Sequence, residues 1–341
     1  MSEPIIKAKR LAYVRAAAPD LAKAEKFLLD FGLQVAARAG GATYLRGTDA
    51  ESHCYVLTEG PSDVLAIAFE ADSEADLEKL AQLSDASPIE KLDEPAGGQV
   101  VRLRDPQGMC VEIVHGQAVL EPIEAAPAHD FNMNGLRPRE GPLPGVRRGP
   151  SHVKRIGHLV LESADPASVH AWYERHLGLR RSDEVYMPDG STQMRFAHLD
   201  RGRTWVDHHV VGFQYALDEG ARVQHIAFEV GNFDDLMTGH HHLKAKRRKP
   251  IWGVGRHRYG GQIYDYWASP FGLIHEHWTD TDLVNADTEA SDCRFEDLEE
   301  YWGPPPRPAF LIARWNGKAI RNLASLLWAR FGGGRRASAG G

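Results

Sequence analysis

The segment from residue 255 to residue 278 concentrates side chains that can bind a metal or move protons. It holds His257, Tyr266, His275, Glu276 and His277 on two aromatic-rich runs that flank the turn sequence SPFG. Such runs around a Pro-Gly turn are typical of a β-hairpin. Because side chains alternate along a strand, Glu276 faces away from both neighbouring histidines. A carboxylate that points into a core needs a partner, and a metal ion is one such partner.

An internal repeat supports the metal hypothesis. Residues 10–116 (the first module) and 154–282 (the second module) show the same order of strands and helices, with AIAFE in one matching HIAFE in the other. A repeat of this length indicates two similar folded units. The three matched strand positions are Tyr13, Ala66 and Glu112 in the first module and His158, His225 and Glu276 in the second. Only the second module is therefore expected to bring two imidazoles and a carboxylate together.

Two histidines and one carboxylate on one face, with coordination positions left open, form the ligand set of non-haem Fe(II) enzymes that use O₂. Zn(II) or Mn(II) can occupy the same set. A single buried histidine is more often a satisfied core residue, and Glu112 shows that the carboxylate alone is weak evidence. Because all three residue types coincide at matched positions, we prefer a metal centre.

A strand-rich scaffold must position these residues. Each module reads as βαβββ with one further helix between strands, which predicts an α+β fold of two similar domains. We place the domain that lacks the ligand set at residues 1–120 and the metal-binding domain at residues 151–285. A linker rich in Pro and Gly occupies residues 121–150. A C-terminal extension covers residues 286–341.

The extension differs in composition from both modules. Residues 310–331 read as one basic amphipathic helix, and the last ten residues, GGGRRASAGG, are expected to be disordered. A helix of this kind can lie on a membrane surface. Packing onto the protein body or across a subunit interface is the preferred interpretation.

Composition limits the classes of function. Hydrophobic residues make up 43% and charged residues 26% of the chain, which is typical of globular proteins in solution. The formal net charge of −7 does not indicate nucleic acid or an anionic membrane as a partner. No apolar run approaches the length of a membrane span, and the first residues lack the apolar region of a secretory signal. Three widely spaced cysteines fit a reducing compartment, so we expect a cytoplasmic protein.

Together these motifs resemble the type I extradiol ring-cleaving dioxygenases of the vicinal oxygen chelate superfamily. The resemblance rests on IGHLVL around His158, VDHHVV around His209, VQHIAFEV around His225 and IYDYWASPFGLIHEHWTD around Glu276. The second module resembles the catalytic module of that family, and the first resembles its non-catalytic module. The resemblance implies the vicinal oxygen chelate fold, a catecholic substrate and O₂, with both oxygen atoms entering the product. We also expect a homo-oligomer.

The resemblance implies a role for each candidate residue. The three matched residues of the second module would bind Fe(II), with Mn(II) as the other candidate. His209 matches the family's acid–base histidine, Tyr266 the tyrosine that hydrogen-bonds a substrate oxygen, and His257 a histidine on the other side of the substrate. Tyr264 has the same strand parity as Tyr266 and is a rival for its role. Strand alternation is expected to point His208 away from His209.

Two further polar features receive structural interpretations. Asp265 is expected on the face opposite Tyr266, where it would support the site from behind. The consecutive histidines at 240–242 end a predicted helix and point in different directions, so a solvated face is preferred over a metal site.

The residues leave two other functions open. A glyoxalase-like isomerase or hydrolase would use the same scaffold with another divalent metal, and it would make His209, Tyr266 and His257 incidental. A metal-free module that binds aromatic compounds on paired repeats would leave the matched histidines and Glu276 unexplained. We prefer Fe(II)-dependent extradiol cleavage of a catecholic ring.

Overall fold

The computed structural model describes residues 3–124, 131–143, 148–312 and 316–331, and its main features are two large β-sheets. The strands of the first sheet are β1 (Arg10–Ala18), β2 (Gln34–Ala39), β3 (Ala42–Arg46), β4 (Tyr55–Glu59), β5 (Asp63–Glu70), β6 (Glu90–Lys91), β7 (Gln99–Arg104) and β8 (Cys110–His115). They lie in the order β2-β3-β4-β1-β5-β8-β7-β6.

The second sheet repeats this order. Its strands are β9 (Val153–Ser163), β10 (Leu179–Tyr186), β11 (Thr192–Leu199), β13 (Val211–Tyr215), β14 (Arg222–Val230), β15 (Lys249–Arg256), β16 (Ile263–Ala268), β17 (Ile274–Thr279) and β19 (Ser291–Arg294). Their order is β15-β16-β17-β14-β9-β13-β11-β10-β19, the first sheet's order with one strand added at an edge. A separate small pair joins β12 (Val206–Asp207) to β18 (Leu283–Val284).

The helices connect and cover these strands. They are α1 (Leu21–Phe31), α2 (Glu74–Ala81), α3 (Pro166–Leu177), α4 (Phe233–Ala245), α5 (Pro308–Leu311) and α6 (Gly317–Phe331), with a 3-10 turn at Phe295–Asp297. The first helix of each module begins with an aspartate, Asp20 or Asp165, whose side chain accepts a backbone N–H of the first turn. Each ends at a glycine with positive φ, Gly32 at 116° and Gly178 at 70°.

The predicted α+β architecture of two similar modules is confirmed, but each module contains two βαβββ units instead of one. The units of the first module are β1-α1-β2-β3-β4 and β5-α2-β6-β7-β8, joined by antiparallel pairing of β1 with β5. The sequence pattern misses this count because β2 is largely exposed and β6 has only two residues. Neither strand has the apolar alternation that marks a half-buried strand.

The two modules share one hydrophobic core. Helix α1 of the first module packs on β17 of the second, where the ring of Phe31 stacks on His277 at 3.7 Å and the ring of Phe27 lies 5.2 Å from His275. Nε2 of His277 also lies 2.7 Å from the carbonyl oxygen of Phe31. The face of β17 opposite Glu276 therefore belongs to the core between the modules.

The C-terminal extension is more closely tied to the second sheet than its composition indicates. Strand β19 pairs in parallel with β10. The helix predicted for 310–331 is wrong in extent: α5 ends at Leu311, and α6 begins at Gly317 behind Asn316, whose side chain accepts the N–H of Ala319. The expected disorder of the last ten residues lies outside the described part of the chain. The boundaries at residues 120, 150 and 285 stay predictions. Within the described ranges, no helix is both long and apolar enough to cross a membrane.

Candidate metal centre

Three adjacent strands at the centre of the second sheet bring the predicted ligands together. Ala227 of β14 pairs with His158 of β9 on one side and with Glu276 of β17 on the other. His225 lies two residues before Ala227, so its side chain points to the same face of the sheet. The alternation predicted for β17 holds as well, because His275 and His277 lie in the core on the opposite face.

The ligand atoms of these residues lie close together in a buried position. Nε2 of His158 is 3.1 Å from Oε2 of Glu276, and Nε2 of His225 is 3.2 Å from the same oxygen. The three residues are 2%, 5% and 0% exposed, respectively for His158, His225 and Glu276. Across the described ranges, they form the group of three or more potential ligands whose binding atoms all lie within 4.8 Å of one another.

The spacing and chemistry of this group fit a divalent metal. Ligand atoms about 2.1 Å from an ion and 90° apart stand about 3.0 Å from each other, close to the two distances observed. Oε1 of Glu276 has no hydrogen-bond partner among the described residues, and a metal ion would be a partner for this buried oxygen. Oε1 of Gln224 accepts a hydrogen bond from Nδ1 of His225, so the lone pair of this imidazole lies on Nε2.

The charge states agree with this fit. Burial alone would raise the pKa of Glu276, but His158 and His225 outweigh burial and hold the pKa well below its ordinary value. Glu276 is therefore an anion. Burial lowers the pKa of His225, against the opposing effect of Glu276. A neutral imidazole and an ionised carboxylate are the forms that bind metals.

His209 lies beside the ligand group, and its neighbour His208 corrects one expectation. The ring of His209 lies 4.3 Å from that of His158 and 4.9 Å from Phe196. Nδ1 of His208 lies 3.0 Å from Nδ1 of His209, so the prediction that His208 points away is wrong. The two residues lie between β12 and β13, where strand alternation does not apply.

Tyr266 and His257 lie on the other side of the ligand group. Tyr266 pairs with Glu276 across the β16–β17 ladder, and its ring lies 5.2 Å from that of His225. Nε2 of His257 is 2.9 Å from Oη of Tyr266, and Nδ1 of His257 is 2.9 Å from Oε2 of Glu300. Glu300 was not among the predicted site residues, since it belongs to the extension and has no counterpart in the repeat.

The rival tyrosine is buried but differently placed. The ring of Tyr264 stacks on His257 at 4.1 Å, and its hydroxyl has no hydrogen-bond partner among the described residues. Across the ladder it pairs with Trp278, two residues beyond Glu276. Tyr266 is therefore the tyrosine directly opposite the carboxylate.

Two of the other polar residues noted in the sequence, Asp265 and His240, make contacts within the fold. Oδ2 of Asp265 accepts the indole N–H of Trp267 at 2.6 Å and lies 3.1 Å from Nδ1 of His240. The interpretation of a solvated face at 240–242 is therefore incomplete, since the half-buried His240 pairs with Asp265, whereas His241 is exposed. The helix turns His240 toward β16.

The first module shows what fills the same place without a metal. Glu112 accepts hydrogen bonds from Oη of Tyr13 at 2.7 Å, Nε of Arg15 at 2.7 Å and Nε of Arg102 at 3.0 Å. Ala66 stands where the second module has a histidine. Because two guanidinium groups neutralise its carboxylate, the first module does not need an ion there.

Comparisons with known proteins agree with this geometry. Residues 155–275 match the family model described as the glyoxalase/bleomycin resistance protein/dioxygenase superfamily. The chain is 29% identical to metapyrocatechase 2 of Cupriavidus necator over 302 residues, which cover 84% of this chain and 86% of that protein.

Solved structures with the same fold include two enzymes. Homoprotocatechuate 2,3-dioxygenase from Brevibacterium fuscum, solved with 3,4-dihydroxyphenylacetate, has a TM-score of 0.74 at 22% identity, covering 91% of this chain and 93% of that one. The Mn(II)-bound glyoxalase from Novosphingobium aromaticivorans has a TM-score of 0.72 at 22% identity, covering 89% and 94%. Residues 155–275 therefore match the superfamily that includes glyoxalases and dioxygenases, and the chain is similar over most of its length to extradiol ring-cleaving dioxygenases.

Proposed function

We propose that the protein cleaves a catecholic ring beside its two hydroxyls with O₂, and that Fe(II) held by His158, His225 and Glu276 supports the reaction. One observation carries the proposal: two imidazole nitrogens lie 3.1 and 3.2 Å from one buried carboxylate oxygen. This N₂O set with open positions suits Fe(II) and O₂. Mn(II) has the same ligand preferences, so the choice of Fe(II) is part of the proposal.

When bound, the metal supplies Lewis acidity toward the two vicinal oxygens and redox access to O₂. The protein's own residues supply proton transfer and positioning. His209 is buried, and burial together with the neighbouring imidazoles, first His158, holds its pKa well below the ordinary value. It is therefore neutral near pH 7 and able to take a proton from a catechol hydroxyl and return it later.

Tyr266 is proposed to donate a hydrogen bond to the substrate oxygen that becomes anionic. Burial would lower the pKa of His257, but Glu300 outweighs burial and raises it, which favours the imidazolium form. Both nitrogens of an imidazolium donate, so Oη of Tyr266 accepts from Nε2 of His257. The hydroxyl proton of Tyr266 is then directed to the substrate, where a bond to an anion is stronger than a neutral one.

Aromatic side chains complete the proposed substrate site. The ring of Trp252 stacks near Tyr266 at 5.4 Å, and the ring of Phe310 lies 4.9 Å from Tyr266 and 6.3 Å from His225. We place the catechol ring beside these side chains, with its hydroxyls toward the metal. The C-terminal extension thus contributes one wall, through Phe310.

The proposal is tested with protein purified without oxygen. Metal analysis and reconstitution with Fe(II) or Mn(II) are followed by measurement of O₂ uptake on a panel of substituted catechols and identification of the products. We expect one O₂ consumed per ring opened, with both atoms of labelled O₂ in the product. Ring-intact isomerised or hydrolysed products would support the glyoxalase-like alternative, and tight binding of aromatics without metal would support the binding module.

Two finer assignments accompany the proposal. A cytoplasmic location is proposed from the three dispersed cysteines, and a homo-oligomer from the family resemblance. Cell fractionation and the mass of the purified protein in solution test them.

A further inference from the structure

A chain of polar groups runs from His209 away from the candidate metal centre. Nδ1 of His209 is 3.0 Å from Nδ1 of His208, and Nε2 of His208 is 2.6 Å from Oδ2 of Asp183. The second oxygen of Asp183 accepts the backbone N–H of Ser291 at 2.9 Å and its hydroxyl at 2.6 Å. All but Ser291 are buried, at 4%, 4% and 8% exposed for His208, His209 and Asp183.

The donors and acceptors in this chain determine where its protons lie. Burial would raise the pKa of Asp183, but His208 and Ser291 outweigh burial and hold it below the ordinary value, so the carboxylate accepts. Nε2 of His208 is then the donor to Asp183. A bond between two Nδ1 atoms contains one proton, and in the arrangement with both rings neutral Nδ1 of His209 donates it to the lone pair of Nδ1 of His208. His209 is therefore left with an unprotonated Nε2.

A glycine allows the two imidazoles to meet in this way. Gly260 has a φ of 76°, and a Cβ placed on it would lie 3.0 Å from Nδ1 of His208 and 3.4 Å from Nδ1 of His209. A side chain at this position would press against the atoms that form the bond. The close approach of the Gly260 backbone thus leaves room for the Nδ1–Nδ1 contact.

We propose that His208 and Asp183 are positioning residues that hold His209 as a base with its lone pair on Nε2 and receive the charge that it gains. This inference rests on the proposed function. When Nε2 of His209 takes a proton from a substrate hydroxyl, its Nδ1–H bond breaks and that proton forms an N–H bond at Nδ1 of His208. One proton has then moved to the histidine pair, no electrons have been exchanged, and the positive charge lies beside Asp183. The reverse transfer returns the proton to the product.

The position of Asp183 explains why this arrangement favours the transfer. Asp183 and Ser291 line a cavity of about 660 Å³ together with Tyr259 and Gly260. Positive charge on His209 would lie against His158, one of the residues proposed to hold a cation. Charge on His208 lies farther along the chain and next to an anion, where Coulomb attraction stabilises it.

The tautomer is tested directly by nitrogen NMR on the full-length chain with ¹⁵N-labelled histidine, loaded with diamagnetic Zn(II). Loss of one set of signals in His209→Gln assigns the ring. We expect a protonated Nδ1 and an unprotonated Nε2 on His209, with a scalar coupling across the hydrogen bond to His208 that disappears in His208→Gln. A protonated Nε2 on His209 in the wild type would overturn the proposal, whatever the variants do.

Kinetics give the second readout. Asp183→Asn keeps the shape but places an amide N–H against Nε2 of His208, which reverses the protons along the chain. We expect kcat to fall about 100-fold or more, with KM and metal content unchanged. Asp292→Asn is the matched control, because Asp292 lines the same cavity and pairs with Arg181 instead of His208, and it should keep wild-type kcat. An unchanged kcat in Asp183→Asn sinks the proposal.

The two proposals fail in different ways. If the wild type opens no catecholic ring, the proposed function fails, while the NMR spectrum still decides the tautomer. If the wild type is active and the spectrum shows the opposite tautomer, only the present inference fails. A loss of metal and a lower unfolding temperature in Asp183→Asn, with kcat per bound metal unchanged, would make the role purely structural.

Discussion

Glu112 and Glu276 occupy the same register position in the two sheets, each opposite an alanine of the neighbouring parallel strand, but their partners differ completely. Glu112 pairs with Ala68 and accepts from two arginines, whereas Glu276 pairs with Ala227 and faces two imidazoles. One sheet thus neutralises its buried carboxylate with side chains. In the other, no arginine does this, and we propose that a metal ion neutralises the carboxylate.

The first prediction concerns metal content. His225→Ala should lose the metal and all ring cleavage, because one of three ligands is gone. Ala66→Ser, at the equivalent position of the first module, is the matched control and should keep both. Metal per chain is measured after anaerobic purification. Full occupancy in the His225 variant would contradict the assigned ligand set.

The second prediction separates proton transfer from metal binding. His209→Gln should retain the metal and bind catechol, while kcat falls about 100-fold or more, the usual effect of losing an acid–base group. Single-turnover kinetics and metal analysis on one preparation check it. If the variant loses metal in step with activity, His209 is a ligand and its proposed role is wrong.

The third prediction compares the two tyrosines. Tyr266→Phe should keep the fold and the metal but lose about 1.5–3 kcal/mol of transition-state stabilisation, the scale of a hydrogen bond to a charged group. Tyr264→Phe removes a hydroxyl that has no partner within the described chain, so its kcat/KM should change little. Turnover and the catecholate absorption band are measured side by side. Impairment of the Tyr264 variant alone would reverse the assignment.

The fourth prediction is a pH dependence set by Glu300. Because the folded pKa of His257 lies above its unfolded value of about 6.5, the pair with Glu300 stabilises the fold fully below that pH. Its contribution is lost as pH rises through the folded pKa.

Glu300→Gln should remove this pH dependence from the free energy of unfolding. It should also lower the pH above which kcat decreases. The control is Glu299→Gln, at the exposed residue next to Glu300. This variant should show the wild-type pH dependence of both the free energy of unfolding and kcat. Denaturant unfolding and kcat are measured from pH 6 upward, at intervals of about half a pH unit, across the titration range of histidine. Identical pH profiles for the wild type and both variants would show that Glu300 does not act on the site.

The fifth prediction uses two glycines with nearly equal φ. Gly41, at 77°, has open space around its Cβ position, so Gly41→Ala should cost only about 1–2 kcal/mol of backbone strain. A Cβ on Gly260 would lie 3.0 Å from Nδ1 of His208, so Gly260→Ala should also displace the two imidazoles slightly and lower kcat below that of Gly41→Ala. Unfolding curves and kcat are compared. Equal kcat in the two variants would show that the contact is unimportant.

The repeat made it possible to predict from sequence that the three candidate ligands lie together. Residues at equivalent positions of the two repeats occupy equivalent register positions in the two sheets. His158, His225 and Glu276 each align with a residue of the first module, and the paired strands of both sheets keep the same register. Even the residue opposite the carboxylate has its counterpart, Arg102 for Tyr266. Period-two alternation then decides which side chains share a face.

The rest of the site could not be predicted because it depends on segments without such regularity. His208 lies between two strands, so its direction is set by its backbone bond to Asp282 and by its contact with Asp183. Glu300 lies beyond the repeat, in a stretch without regular secondary structure. Long-range contacts of this kind leave no periodic signal in the sequence.

Because Phe31 of the first module stacks on His277 of the second, we expect the two modules to unfold in one cooperative transition. Strand β17 carries Glu276 on one face and the core shared with α1 on the other, so a metal bound to one face stabilises helices and strands that never approach it. By mass action, an ion at about 100 times its dissociation constant adds about 2.7 kcal/mol to the stability of the native state. With the proposed metal bound to the second module, removal of that metal by a chelator should therefore lower the unfolding temperature of both modules.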